Sequence, residues 1–179
     1  MMLVDDLLEE NLVLVFCGTA LSDESYRRRA YYAHPGNRFY AVLDSVGFTE
    51  RRLSPGEYPE LLGYGIGLTD LNKTEHGADH SLNSAAFDPG ALEGKIRRFS
   101  PDYLAFTSKR AAQEYLRVSR CDYGLQDTCI GRTRIFVLPS PSGRAVRYWS
   151  EEPWRELAGL YRVAFERRRG DAKGVDSIG

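Results

Sequence analysis

The amino-acid sequence predicts an α/β fold with three α/β/α layers around a central, mainly parallel sheet. Short apolar runs that end in glycine or small polar residues recur along the chain, as expected for strands buried on both faces. Helix-start signals lie between these runs. The chain has 179 residues, of which 42% are hydrophobic, and this is enough to bury one core.

Four segments have the composition of buried strands. The clearest run is followed by a Cys17-Gly18-Thr19 turn, and the shortest contains two glycines, which indicate close approach of the backbone to a neighbour. In chain order the predicted strands are Leu12–Phe16, Gly65–Asp70, Tyr103–Phe106 and Ile135–Leu138.

Helix N-caps precede four other segments. Ser54 begins a Ser-Pro-Gly-Glu capping box, and Asp88 stands before a proline at the first helical position. Ser108 and Ser150 can cap two further helices. The last of these is strongly amphipathic, because apolar side chains recur from Trp154 to Phe165 at helical spacing.

Composition limits the class of protein. The net charge of −1 means that any nucleic-acid site must be a local basic patch. Three cysteines without CxxC spacing do not support a cysteine-based metal cluster. No apolar run is long enough to span a membrane and no secretory signal is visible, so we expect a cytoplasmic monomer. Residues 1–166 are predicted to form one domain, and residues 167–179 a flexible tail.

Several common site motifs are absent or incomplete. Gly65–Asp70 begins like a dinucleotide fingerprint, but a carboxylate at its sixth position would repel a pyrophosphate. There is neither a P-loop nor a nucleophile elbow. His76, Asp79 and His80 have metal-ligand chemistry but no helical spacing, so we predict an exposed loop there rather than a metal site.

The carboxyl ends of the predicted strands are the expected ligand site. In open α/β sheets ligands bind beyond these ends. Three loops should therefore converge there, namely Gly18-Thr19-Ala20, Thr69-Asp70 and Ser140-Pro141-Ser142.

Four ordered motifs resemble the mismatch-specific uracil-DNA glycosylases, bacterial relatives of thymine-DNA glycosylase in the uracil-DNA glycosylase superfamily. The motifs are Tyr32–Phe39 with its His-Pro-Gly-Asn-Arg-Phe segment, Gly47–Leu53, Tyr64–Leu71 and Leu138–Gly143, and together they cover roughly residues 12–162. The resemblance implies a three-layer α/β fold and hydrolysis of the bond between a damaged base and deoxyribose. It implies no metal or cofactor.

The resemblance also assigns the base pocket and the catalytic group. Tyr32 matches the stacking aromatic, with Tyr31 as the adjacent candidate, and Gly18, Thr19 and Ala20 line the pocket. Many members have an asparagine that orients water where this chain has Ala20. Asp70 resembles the catalytic aspartate of a broad-specificity branch, so we rank it first, and Asn37 resembles the asparagine of a hypoxanthine-DNA glycosylase branch.

The last motif is expected to hold DNA. Ser140, Ser142 and Gly143 form a small loop ahead of a predicted helix, where hydroxyls and free N–H groups can hold phosphates. Arg144 follows at the position that the family uses to fill the gap left by the flipped base.

Two functions follow from these observations. The first is a monofunctional glycosylase that flips out and excises uracil, or deaminated purines, from double-stranded or single-stranded DNA, leaving an abasic site for base excision repair. The second is a non-catalytic protein that binds lesions or abasic sites, since Ala20 has no polar group to hold water.

Overall fold

The computed structural model describes residues 3–175, which contain one five-stranded sheet of order β2-β1-β3-β5-β4. The strands are β1 (Leu14–Gly18), β2 (Ile66–Asp70), β3 (Tyr103–Phe106), β4 (Gly124–Ile130) and β5 (Thr133–Val137). The first four in spatial order are parallel, and β4 pairs antiparallel with β5 at the edge. The mainly parallel α/β fold is thus confirmed, although the first strand begins two residues later than predicted and β4 was not predicted.

Helices connect the strands. They are α1 (Asp23–Arg28), α2 (Phe39–Ser45), α3 (Pro89–Phe99), α4 (Lys109–Leu116) and α5 (Glu152–Val175). Asp88 and Ser108 cap α3 and α4 as predicted, accepting from Ala91 N at 2.9 Å and Ala111 N at 3.1 Å. The Ser54 capping box is also present, but it begins a 3-10 helix, Pro55–Tyr64, with Pro59 inside it. None of the helices within residues 3–175 is both long and apolar enough to cross a membrane.

Two apolar cores lie on opposite faces of the sheet. Along β1, Leu14 and Phe16 pack with α2 and α5, whereas Val15 and Cys17 pack with α3 and α4. This alternation follows from the two-residue period of a strand. The sheet is therefore the middle of three layers, which confirms the predicted architecture.

Helix α5 corrects the predicted tail. It runs to Val175 without a break at residue 167. Arg167 and Arg168 both donate to the Asp102 carboxylate at 2.6 Å, which ties this end of the helix to the start of β3. Residues 167–175 are thus helical rather than a flexible tail, and residues 176–179 lie outside the described part of the chain.

Residues 4–8, which we call the N-terminal strap, cover the edge strand β2. Leu7 and Leu68 exchange two backbone hydrogen bonds of 2.9 Å in antiparallel orientation. A side chain on Gly67 would lie 2.6 Å from the Leu7 carbonyl oxygen, so this close approach requires glycine. The strap thus protects an otherwise open sheet edge on the strand that ends in Asp70.

Candidate active site

A cleft of about 900 Å³ opens at the carboxyl ends of the parallel strands. The loops that follow β1, β2, β3 and β5 all contribute to it, as the topology of the sheet requires. Every site residue predicted from the sequence lines this cleft: Gly18, Thr19, Ala20, Tyr31, Tyr32, Asn37, Asp70, Ser140, Ser142, Gly143 and Arg144.

Asp70 is the buried carboxyl group of the cleft, and only 4% of the residue is exposed. Among residues 3–175, Asp70 Oδ2 and Arg38 Nη1 are the two buried side-chain polar atoms without a hydrogen-bond partner. Burial raises the pKa of Asp70 from its ordinary 3.8 to about 7; the nearby Lys73 ammonium opposes this rise and the Asp6 carboxylate adds to it. The carboxyl group can therefore exchange a proton near neutral pH.

Gly18 leaves open the space beside this carboxyl group. A Cβ atom at Gly18 would lie 2.7 Å from Asp70 Oδ1, which is closer than two such atoms can approach. The same point is 3.5 Å from Tyr32 Oη and 3.6 Å from Thr107 Oγ1. A carboxyl and two hydroxyl groups thus surround a position that only a residue without a side chain keeps free.

The two adjacent tyrosines have different environments. Tyr32 is half-buried and its ring stacks on Phe39 with 3.9 Å between centroids, while its hydroxyl shares a hydrogen bond of 3.0 Å with Thr107. Tyr31 is 1% exposed, and its hydroxyl donates to the Asp5 carbonyl and accepts from Lys73. Tyr31 therefore belongs to the core beneath the cleft, and Tyr32 has the ring that remains partly accessible.

The loop after β1 is fixed by the segment after β2. Leu71 N and Asn72 N donate to the carbonyl oxygens of Gly18 and Thr19 at 2.9 and 2.8 Å. Thr19 Oγ1 donates to Asp79 Oδ1 at 2.7 Å, which adds a second carboxylate to the cleft wall. Ala20 contributes only a methyl group, so any group that holds water must come from another residue.

The Asn37 side chain is engaged by its own backbone. Its Oδ1 accepts from Phe39 N at 2.9 Å, at the start of α2. This contact uses one of the two lone pairs of the amide oxygen, so the side chain keeps an acceptor site as well as its N–H₂ donors. It can therefore hold either a water molecule or a polar group of a ligand.

The Ser140–Arg144 loop forms the outer wall of the cleft. A short 3-10 turn, Gly143–Tyr148, separates it from the predicted helix, which is α5. The N–H groups of Ser142 and Arg144 are not free as predicted, because they donate at 3.3 Å to the hydroxyls of Ser140 and Ser142. Both hydroxyls can still donate outward, and Arg144 is exposed at the rim.

This loop packs closely on the His-Pro-Gly-Asn segment. Arg38 N donates to the Pro141 carbonyl at 2.8 Å. A Cβ at Gly143 would lie 3.0 Å from the Gly36 carbonyl oxygen, so glycine permits the approach. Two motifs that are about a hundred residues apart in the sequence thus form one wall.

Comparison with known proteins identifies the family. The model of the "Uracil DNA glycosylase superfamily" matches residues 6–158, which is most of the chain. The chain belongs to the uracil DNA glycosylase superfamily. Its fold is also similar to the solution NMR structure of a "putative Uracil DNA glycosylase" from Methanosarcina acetivorans. That similarity has a TM-score of 0.65 and 22% identity, and it covers 90% of this chain and 96% of the other.

Other residues of the cleft were not among the predicted site residues. Thr107 follows the predicted strand Tyr103–Phe106, and Asp79 was considered only as a metal ligand. Tyr148 is 67% exposed at the rim, and its position depends on how the 3-10 turn folds.

The His76 segment packs against α1. His76 Nδ1 lies 2.7 Å from Asp23 Oδ1, and its ring stacks on Tyr26 with 4.0 Å between centroids. Within residues 3–175 no group of three or more His, Cys, Asp or Glu side chains could hold a metal ion. The predicted exposed loop is confirmed, and His76 fixes that loop against α1.

Proposed function

We propose that this member of the uracil DNA glycosylase superfamily is a monofunctional DNA glycosylase in which Asp70 is the catalytic carboxylate. The observation that carries the proposal is the buried Asp70 Oδ2 atom, which has no partner and lines the cleft. Structural carboxylates at such depth are normally paired, so an unpaired one in a cleft is a candidate functional group. Family membership supports glycosylase chemistry.

Base release can use a buried carboxyl group at this position of the cleft. As the glycosidic bond breaks, positive charge develops on the sugar and negative charge on the departing base. The ionised Asp70 carboxylate accepts a hydrogen bond from the attacking water and takes its proton, and its charge offsets that of the sugar. A pKa of about 7 lets the group accept this proton near neutral pH.

The remaining residues hold the base and the strand. A base inside a duplex must be rotated out before its bond can be reached. The Tyr32 ring, supported from behind by Phe39, is a stacking surface for that base, and the Asn37 amide can donate to a base oxygen. The Ser140 and Ser142 hydroxyls then hold backbone phosphates, while Arg144 enters the gap in the duplex.

The sequence motifs favour uracil opposite guanine as a substrate, by resemblance to the mismatch-specific branch. Deaminated purines are the second group, because the cleft of about 900 Å³ has room for two rings. A non-catalytic lesion-binding protein is the competing function, and the methyl group of Ala20 in the cleft favours it.

Base release under single-turnover conditions tests the proposal. We expect the wild-type chain to release uracil from a U:G duplex, and Asp70→Asn to lose at least ~10²-fold in rate, the low end for a positioned acid–base group. Asp88→Asn, the same change at the exposed N-cap of α3, is the matched control and should retain the wild-type rate. Tight binding to lesion DNA without base release by excess wild-type protein would establish the competing function.

A further inference from the structure

We infer that Asp6, Lys73 and Lys95 form a positioning network that controls the protonation of Asp70 from behind strand β2. This inference rests on the proposed function, in which the ionised Asp70 is the catalytic group. None of the three residues lines the cleft, so they act through Asp70 and not on the substrate.

The network is a cluster of short polar contacts at the sheet edge. Asp6, on the N-terminal strap, lies 3.0 Å from Lys73 Nζ and 2.6 Å from Lys95 Nζ. Thr69 Oγ1 donates to Asp6 at 2.7 Å. Three separate elements, the strap, the segment after β2 and helix α3, therefore meet at one carboxylate.

The Lys73 side chain makes two hydrogen bonds besides its ion pair with Asp6. Its ammonium group donates to the Val4 carbonyl at 2.8 Å and to Tyr31 Oη at 3.0 Å. The exposed fraction is 14% for the Lys73 side chain and 13% for that of Asp6. Charges at such depth are poorly screened, so their effect reaches neighbouring groups more strongly than that of surface charges.

The cluster has two positive charges and one negative charge. Burial by itself raises the pKa of Asp6, but the Lys73 charge and the Lys95 and Thr69 hydrogen bonds outweigh it and hold this pKa below its usual range. Asp6 is thus ionised, and the network keeps a net positive charge beside β2.

The network contacts β2 at the residue before the catalytic group. Thr69 donates to Asp6, and Asp70 follows it in the strand. The strap also pairs with β2 through Leu7 and Leu68, which fixes the distance between the network and the strand. Because successive side chains of a strand point to opposite faces, the network lies across the strand from the Asp70 carboxyl group and acts on it through charge rather than through a contact.

Other titratable groups around Asp70 are uncharged. Burial raises the pKa of each, so they stay protonated near neutral pH: Cys17 on β1, and Tyr31 and Tyr32 before α2. Thr107, after β3, does not titrate. Of the nearby charged groups, Lys73 and Lys95 lower the pKa of Asp70 and Asp6 raises it.

Removing a positive charge and removing a negative charge from the network should shift the protonation midpoint of Asp70 in opposite directions. Lys73→Met removes a positive charge, so the protonation midpoint of Asp70 should rise by about one pH unit. Asp6→Asn removes a negative charge and should lower that midpoint by a similar amount. Lys95→Met should raise it less than Lys73→Met does. Glu57→Gln, which removes an exposed negative charge from the ion pair with Arg51, is the control and should leave the midpoint unchanged.

The test titrates Asp70 directly by ¹³C NMR of its side-chain carboxyl carbon, together with the pH dependence of single-turnover uracil release. Midpoints that move in opposite directions for Lys73→Met and Asp6→Asn support the network. Midpoints that stay fixed, or that move the same way in both variants, overturn it. If Lys73→Met does not fold, Lys95→Met takes its place, because it should shift the Asp70 midpoint in the same direction.

The two proposals fail in distinguishable ways. Because the NMR titration needs no substrate, it judges the network even if the wild-type chain releases no base. Absence of base release would overturn the proposed function alone. Normal release with unmoved carboxyl midpoints would overturn the network alone.

Discussion

Two aspartates at opposite ends of the sheet, Asp102 half-buried and Asp70 buried, have opposite surroundings. Asp102 precedes β3 at the amino ends of the strands, and Arg167 and Arg168 both donate to it at 2.6 Å. Asp70 ends β2 at the carboxyl ends, and its Oδ2 has no partner. A carboxylate that holds the fold together is thus neutralised by cations, whereas the one in the cleft is left with an unfavourable charge. This difference is the reason why Asp70, and not Asp102, is proposed to be a functional residue.

The largest expected effect is on the pH dependence of stability. The pKa of Asp70 is raised to about 7 in the folded protein, against 3.8 in the unfolded chain, so the folded state binds the proton more tightly. Stability from this group is fully present below pH 3.8 and is lost as pH rises toward and through 7. Asp70→Asn has no carboxyl group to lose this proton. The free energy of unfolding of the variant minus that of the wild type should therefore increase by about 4 kcal/mol between pH 4 and pH 8.

Urea unfolding of both proteins across this pH range checks the prediction. Asp102→Asn is the counterpart at the other end of the sheet and should lower the free energy of unfolding by about 2 kcal/mol at pH 8, because it weakens two charge-assisted hydrogen bonds. If Asp70→Asn also became less stable than wild type as pH rose, the contrast between the two aspartates would be wrong.

A second test concerns the aromatic wall of the cleft. Tyr32→Ala removes the ring on which the flipped base is proposed to stack, a loss of ~1–3 kcal/mol in binding. In an Asp70→Asn background, which leaves the lesion intact, the affinity for a U:G duplex should fall about 10- to 100-fold. Fluorescence anisotropy measures this affinity. Tyr123→Ala, at a half-buried tyrosine outside the cleft, should not change it.

The smallest expected effect compares two exposed arginines. Arg144→Ala at the cleft rim should weaken binding to duplex lesion DNA by about 1 kcal/mol, or roughly fivefold, with less effect on single-stranded DNA. Arg134→Ala, at the opposite end of the sheet, should change neither. Equal losses on both DNA forms would show that Arg144 contacts phosphates and does not fill the duplex gap. Affinity should fall as salt rises in every case, through counterion release.

The fold was largely predictable because its signals are local. Asp88 and Ser108 cap helices by contacts within three residues, and the runs at Tyr103 and Ile135 are apolar enough to indicate strands alone. Strand β4 was missed because its middle is exposed and polar and because a bulge interrupts its pairing. The end of α5 was misassigned because its stability comes from Asp102, a residue 65 positions away.

The site was predictable as a set of residues but not as an arrangement. The resemblance selected Asp70 and Tyr32, and both line the cleft. It ranked Tyr32 before Tyr31 but gave no physical reason, because their difference depends on Phe39 and Lys73, which only the folded chain brings near them. The roles of Thr107 and Asp79 likewise depend on long-range hydrogen bonds, to Tyr32 and Thr19.

The N-terminal strap has a consequence for protein synthesis. Translation proceeds from the amino terminus, so Asp6 leaves the ribosome first and Lys95 follows roughly ninety residues later. A nascent chain that has not yet reached α3 already contains Asp70 but lacks one of the two cations near it. The charge environment of strand β2 is therefore completed only after helix α3 has been made.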